Sequence, residues 1–250
     1  MSTTLVHKSD GLRYAPVRIP TLGEKVLVVV LVIDRSGSMG EFGKIQSVNY
    51  AISSSVRQMK RLMKGKEGIK AILVVIGFGQ TASVLVGPET FDKIEWKNLD
   101  ATQNSTLIAP AIELLNKELH RILDGKRGLK PVAVVVSDGL AQDQRESMTA
   151  IQSFLNSKWG ARAIRVGVGI SGVGGDCDLA LLKAFMNNPE QEPLVADDAA
   201  KLGDLIQWTI DSSVRGSMGL HPGHQQPLFP SLPPLTDEDE DEDEEDENDN

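Results

Sequence analysis

The chain has 250 residues, 40% of them hydrophobic, with one cysteine and a formal net charge of −9. That length suits one large α/β domain with extensions or two small domains, and the lone Cys177 excludes an intrachain disulfide and a cysteine-based zinc site. The charge is unevenly spread: residues 237–250 hold twelve carboxylates and no basic residue, so the rest of the chain carries +3.

Residues 1–21 form an N-terminal extension without the apolar centre of a signal peptide. Val26–Ile33 is the longest apolar run, at eight residues. That falls short of the roughly 20 needed to span a bilayer, so a cytoplasmic location is expected. The run is continuous and β-branched, as a central parallel strand covered on both faces should be. Three further runs share this character, Ala71–Phe78, Val132–Ser137 and Ala163–Val168. Amphipathic segments alternate with them at Lys44–Lys64, Leu107–Leu123 and Arg145–Ser157. A last helical stretch covers Ala199–Val214. Thr81–Val86 follows the second strand after a tight turn and reads as an antiparallel edge strand. Alternation of this kind predicts βαβ units and a mainly parallel sheet within a folded unit at 22–215. Residues 216–236, rich in proline and glycine, read as a linker, and 237–250 as a disordered acidic tail.

The chemistry concentrates where strands end. Asp34-Arg35-Ser36-Gly37-Ser38 follows the first strand, Asp138 ends another central strand, and Asn104-Ser105-Thr106 precedes a helix. In open α/β sheets, ligands sit outside the carboxyl ends of strands where connections diverge. Two carboxylates with several hydroxyls, and no His or Cys, suit a hard cation such as Mg²⁺, Mn²⁺ or Ca²⁺ rather than zinc or copper. Taken alone, Asp-x-Ser-x-Ser is equally suited to capping a helix. It is Thr106 and Asp138 that convert it into a candidate metal site.

At these residues the chain resembles the von Willebrand factor A family and its metal-ion-dependent adhesion site. The resemblance implies a Rossmann-like fold with a six-stranded, mostly parallel sheet in the order 3-2-1-4-5-6, one antiparallel edge strand and flanking helices. It also implies that Ser36, Ser38 and Thr106 coordinate the metal directly, while Asp34 and Asp138 act mainly through water. Asn104-Ser105 stands where many members have glycines, and Ser105 offers a second hydroxyl beside Thr106. Ser137 stands where threonine is common. Lys44–Ile52 is most similar to bacterial TerY-like proteins associated with tellurite resistance and stress, which implies a protein kinase or phosphatase as partner.

The expected function is a metal-dependent protein-interaction module whose open metal position takes a partner's carboxylate, without catalytic residues of its own. The alternatives are a metal-assisted hydrolase or phosphatase, and a substrate-recruiting adaptor of an AAA+ ATPase. Gly167–Gly172 matches a dinucleotide-binding pattern, yet no helix opens directly on those glycines, so it reads as a loop. Asp176-Cys177-Asp178 reads as the cap of a helix at Leu179–Met186 rather than a second metal cluster, and Asp143 as a cap or loop residue rather than one that tunes the site, whereas Trp96, Trp159 and Trp208 read as packing. His221 and His224 lack partner ligands. The acidic tail has three readings: a solubility tail, an arm docking a basic partner through Phe229 and Leu232, or an internal competitor for the metal position. Neither nucleic acid nor membrane is an expected partner.

Overall fold

The computed structural model describes residues 24–170, 177–197 and 199–219. The N-terminal extension at 1–21, Asp176, His221, His224, Phe229, Leu232 and the acidic tail lie outside the described residues.

Six strands form one sheet in the order β3-β2-β1-β4-β5-β6. They are β1 (Lys25–Asp34), β2 (Ile69–Phe78), β3 (Ala82–Thr90), β4 (Val132–Ser137), β5 (Ile164–Ile170) and β6 (Leu194–Ala196). All pairings are parallel except β2 with β3. The helices are α1 (Lys44–Met63), α2 (Ala109–Leu123), α3 (Gln144–Asn156), α4 (Leu179–Met186) and α5 (Ala199–Ser217). This is the fold that the resemblance implies.

The unbroken apolar character of β1 follows from its having no solvent face. Leu27, Val29, Leu31 and Ile33 point into a core shared with Val48, Ile52 and Met59 of α1 and Leu202, Ile206 and Ile210 of α5. Val26, Val28, Val30 and Val32 point the other way, toward Ile112, Leu115 and Leu119 of α2 and Ile151 and Phe154 of α3. Residues i and i+2 of a strand share a face, so each run of valines feeds both layers. At roughly 1.5–3 kcal/mol per fully buried aliphatic side chain, the central strands are a large source of stability.

Three details depart from the sequence reading. The edge strand continues to Thr90 through shifts in its register with β2. The final helix runs on to Ser217, two residues past the boundary expected at 215. The sixth strand, implied only by the family, is the three-residue segment Leu194–Ala196 beside β5.

Gly167 and Gly169 have a structural use. A Cβ at Gly167 would lie 2.9 Å from Leu182 Cβ, and one at Gly169 would lie 2.5 Å from Cys177 Sγ. The glycines therefore let the α4 layer lie close against β5.

Candidate metal site at the strand ends

The topology creates the crevice. From β1 the chain goes to β2 on one side through α1, and later returns through α2 to β4 on the other side. Helices α1 and α2 lie on opposite faces, so the carboxyl ends of β1 and β4 form the switch point. Ile33 pairs with Val136 in that register. Asp34 and Ser137 come next along the two strands, and their side chains meet.

Asp34 is fully buried. Its Oδ1 accepts the Ser36 backbone N–H at 2.8 Å and its Oδ2 accepts the Ser137 hydroxyl at 2.6 Å. Burial raises the Asp34 carboxyl from 3.8 to about 6; the bonds from Ser137 and Ser36 oppose this and the nearby Asp138 adds to it. Ser36 Oγ lies 3.1 Å from Ser38 Oγ, and Ser38 Oγ donates to Asp138 Oδ1 at 2.8 Å. A continuous chain of oxygens thus runs from the β1 loop to the end of β4.

Thr106 arrives from a long connection that is pinned at several points. Asn49 of α1 donates to the Leu99 carbonyl at 2.9 Å and accepts the Leu99 N–H at 2.7 Å. The Gln103 N–H donates to the Arg35 carbonyl at 2.9 Å, and the Leu107 N–H to the Gly79 carbonyl at 2.9 Å. Arg35 also pairs with Asp100. Asp143 then accepts the N–H groups of Ile108 and Ala109 at 3.0 and 2.9 Å, and the Ser147 hydroxyl at 2.8 Å. It thereby serves the free donors at the start of α2 and ties them to the first turn of α3. Thr106 ends up buried, and its Oγ1 would be 3.3 Å from a Cβ on Gly139. Ser105 beside it is half-buried.

Asp34, Ser36, Ser38 and Asp138 are thus joined by hydrogen bonds through neighbouring loops, Ser137 supports Asp34, and Thr106 lies against Gly139, next to Asp138. The oxygen-only donor set fits a hard divalent cation. Lys44 was not anticipated: its ammonium lies 2.8 Å from Asp138 Oδ2, with both side chains out of solvent. The signal in the sequence was a lysine in the first turn of a helix, where the dipole disfavours a cation unless a carboxylate answers it.

The other expectations fall away from this centre. Asp178 caps α4 by accepting the Leu181 N–H at 3.0 Å. Trp159 is buried and donates to Asp124 at 2.8 Å, while Trp96 packs against the core. No helix among the described residues is long and apolar enough to cross a membrane.

Residues 29–141 match the family profile described as von Willebrand factor type A domain, a span that contains all five site residues. A comparison with curated proteins returned no match. Among solved structures, the chain is similar to the ArnB paralog VWA2 from Sulfolobus acidocaldarius, with a TM-score of 0.52 and 18% identity over 72% of this chain and 44% of that one. It is also similar to a von Willebrand factor type A protein from Catenulispora acidiphila, with a TM-score of 0.55 and 16% identity over 74% and 42%. A third is proximal thread matrix protein 1 from the mussel byssus, described with a zinc-occupied MIDAS motif, at a TM-score of 0.53 and 14% identity over 75% and 45%. The chain spans less than half the length of each of these three. Strand order and profile agree: the chain has the von Willebrand factor type A fold, and residues 29–141 match that family's profile.

Proposed function

We propose that this domain is a metal-dependent protein-interaction module that holds one divalent cation and presents it to a carboxylate of a partner protein. The observation that carries the reading is the run of close contacts from Ser36 Oγ to Ser38 Oγ at 3.1 Å and on to Asp138 Oδ1 at 2.8 Å, with Asp34 buried and bonded to the Ser36 N–H and Thr106 buried against Gly139. Ser36, Ser38 and Thr106 would hold the ion as neutral ligands, with Asp34 and Asp138 behind them. A cation with few anionic ligands keeps much of its charge, and that charge attracts an outside carboxylate. The zinc-occupied motif of the byssus protein supports a divalent ion in such a fold. Mg²⁺ is the ion proposed here, because hydroxyl and carboxylate oxygens suit hard cations.

The rim supports a protein partner. Phe42 and Leu140, which flank the metal loops in sequence, are 61% and 56% exposed. Phe42 holds a φ of 50°, a left-handed conformation that a bulky residue rarely takes. Apolar side chains around a polar centre are the ordinary composition of a recognition surface. We therefore read the partner segment as an acidic residue with apolar neighbours.

The domain is read as non-catalytic. His120, the one histidine in the described residues, pairs with Asp124 near the far end of α2, so no imidazole base among the described residues stands beside the oxygen cluster. The finer reading is a cytoplasmic adaptor in a bacterial stress or kinase and phosphatase complex, on the strength of the TerY-like segment 44–52. Affinity capture on the full chain, with Mg²⁺ or with EDTA, tests the module. Partners retained only with Mg²⁺, and lost from Asp34→Ala, are expected; an identical set in EDTA contradicts it. Turnover of phosphorylated substrates that requires Mg²⁺ and Asp138 would instead favour a hydrolase.

A further inference from the structure

The first turn of α1 puts a positive charge inside the proposed metal site. Lys44 Nζ lies 2.8 Å from Asp138 Oδ2 and 3.4 Å from the Ser38 carbonyl oxygen, and the two paired side chains are 6% and 0% exposed. The ring of Phe42 stands 6.0 Å from the ammonium. Asp138 is thus bonded on both oxygens, by Ser38 on Oδ1 and by Lys44 on Oδ2.

This placement is costly without a purpose in the site. An ammonium loses strongly favourable hydration when buried, and at a helix N-terminus it faces the positive end of the dipole. Its long stem can reach solvent from most surface positions. Here it is instead turned inward, onto one of the two carboxylates that the metal needs.

We propose that Lys44 is a tethered counter-cation of the metal site: it neutralises Asp138 in the metal-free protein and weakens the affinity for the divalent ion. This rests on the metal-binding reading above. Asp34, Asp138 and Lys44 together carry one net negative charge, so a divalent ion leaves the loaded socket with one net positive charge. Without Lys44 the loaded socket would be neutral, since the hydroxyl ligands add nothing. The lysine thus trades metal affinity for attraction toward a partner carboxylate, and it lets the site fold before any ion arrives.

A lysine present only to pack the helix would, on removal, loosen the site and weaken metal binding. A counter-cation has the opposite sign. The test is calorimetric titration of Mg²⁺ into the full chain as wild type, Lys44→Met and Lys44→Gln, with thermal unfolding in EDTA and in Mg²⁺. Removing a like charge a few ångströms from the ion should tighten Mg²⁺ binding by about tenfold or more in both variants. Both variants should also unfold at lower temperature in EDTA, because Asp138 is left buried without its cation, and gain more than wild type from Mg²⁺. Lys44→Gln keeps a donor toward Asp138 and serves the comparison if Lys44→Met does not fold.

Equal or weaker Mg²⁺ affinity in the variants, with binding intact in wild type, overturns the role of Lys44 and leaves the metal-dependent module standing. Binding by the variants and not by wild type supports the counter-cation and overturns the loaded module. Absence of binding in all three overturns both.

Discussion

The hydroxyl of Ser137, the last residue of β4, donates to Asp34 Oδ2, at the end of β1, across 2.6 Å. This bond joins the two central strands where the switch point opens, and it supports a carboxylate that is fully buried. Ser137→Ala would leave that oxygen without its donor, at a cost of about 1–3 kcal/mol by denaturant unfolding in EDTA. Ser137→Thr keeps the hydroxyl and should retain most of the stability.

Asp34 also makes the metal-free protein pH-sensitive. Its folded-state value is raised, first by burial, from 3.8 to about 6. The folded state therefore holds this proton more tightly than the unfolded chain. The corresponding stability is present below the ordinary carboxyl value and is lost as pH rises through the folded value. Relative to Asp34→Asn, the wild type in EDTA should lose stability between about pH 4 and about pH 7. Melting curves of the two proteins across that range check the sign. Metal binding should weaken as pH falls through the same window, because the proton and the ion compete for the carboxylate.

Gly79 sets the position of the Thr106 loop. A Cβ there would stand 2.1 Å from Gln103 Cβ and 3.1 Å from the Ser105 carbonyl oxygen. Gly79→Ala must push residues 103–106 away from the strand ends. Mg²⁺ affinity should fall by about tenfold or more, a larger loss than any change in helix content by circular dichroism would suggest.

Asp143 holds the other side of that loop through Ile108, Ala109 and Ser147. Asp143→Ala removes three bonds to its two oxygens and should cost about 2 kcal/mol of stability. With the Thr106 backbone still bonded to Gln142, Mg²⁺ affinity should move far less than in Gly79→Ala. Paired unfolding and titration experiments separate the two effects.

Central strands and the oxygen-bearing residues at their ends were legible because each is a local pattern. A two-faced strand such as Val26–Ile33 needs an unbroken apolar run, and a ligand loop at a strand end needs short oxygen-bearing residues. The sixth strand was not legible, since Leu194–Ala196 is three residues long and follows Pro193. The edge strand reads as ending at Val86, yet β3 continues through Gly87-Pro88 to Thr90 with shifted register. Lys44 was hidden for another reason: a lysine on an amphipathic helix reads as solvated, and its partner is 94 residues away. Pairing across that distance exists only once α1 and β4 are packed around the switch point.

Three strand-end loops are proposed to build a single cation site. Calorimetric titration of Mg²⁺ into wild type, Asp34→Ala and Thr106→Ala tests it most directly, because the two substitutions lie on different loops and Thr106 carries no charge. One binding event in wild type, weakened about tenfold or more by each substitution, is the predicted result. Unchanged Mg²⁺ affinity in both variants would contradict it.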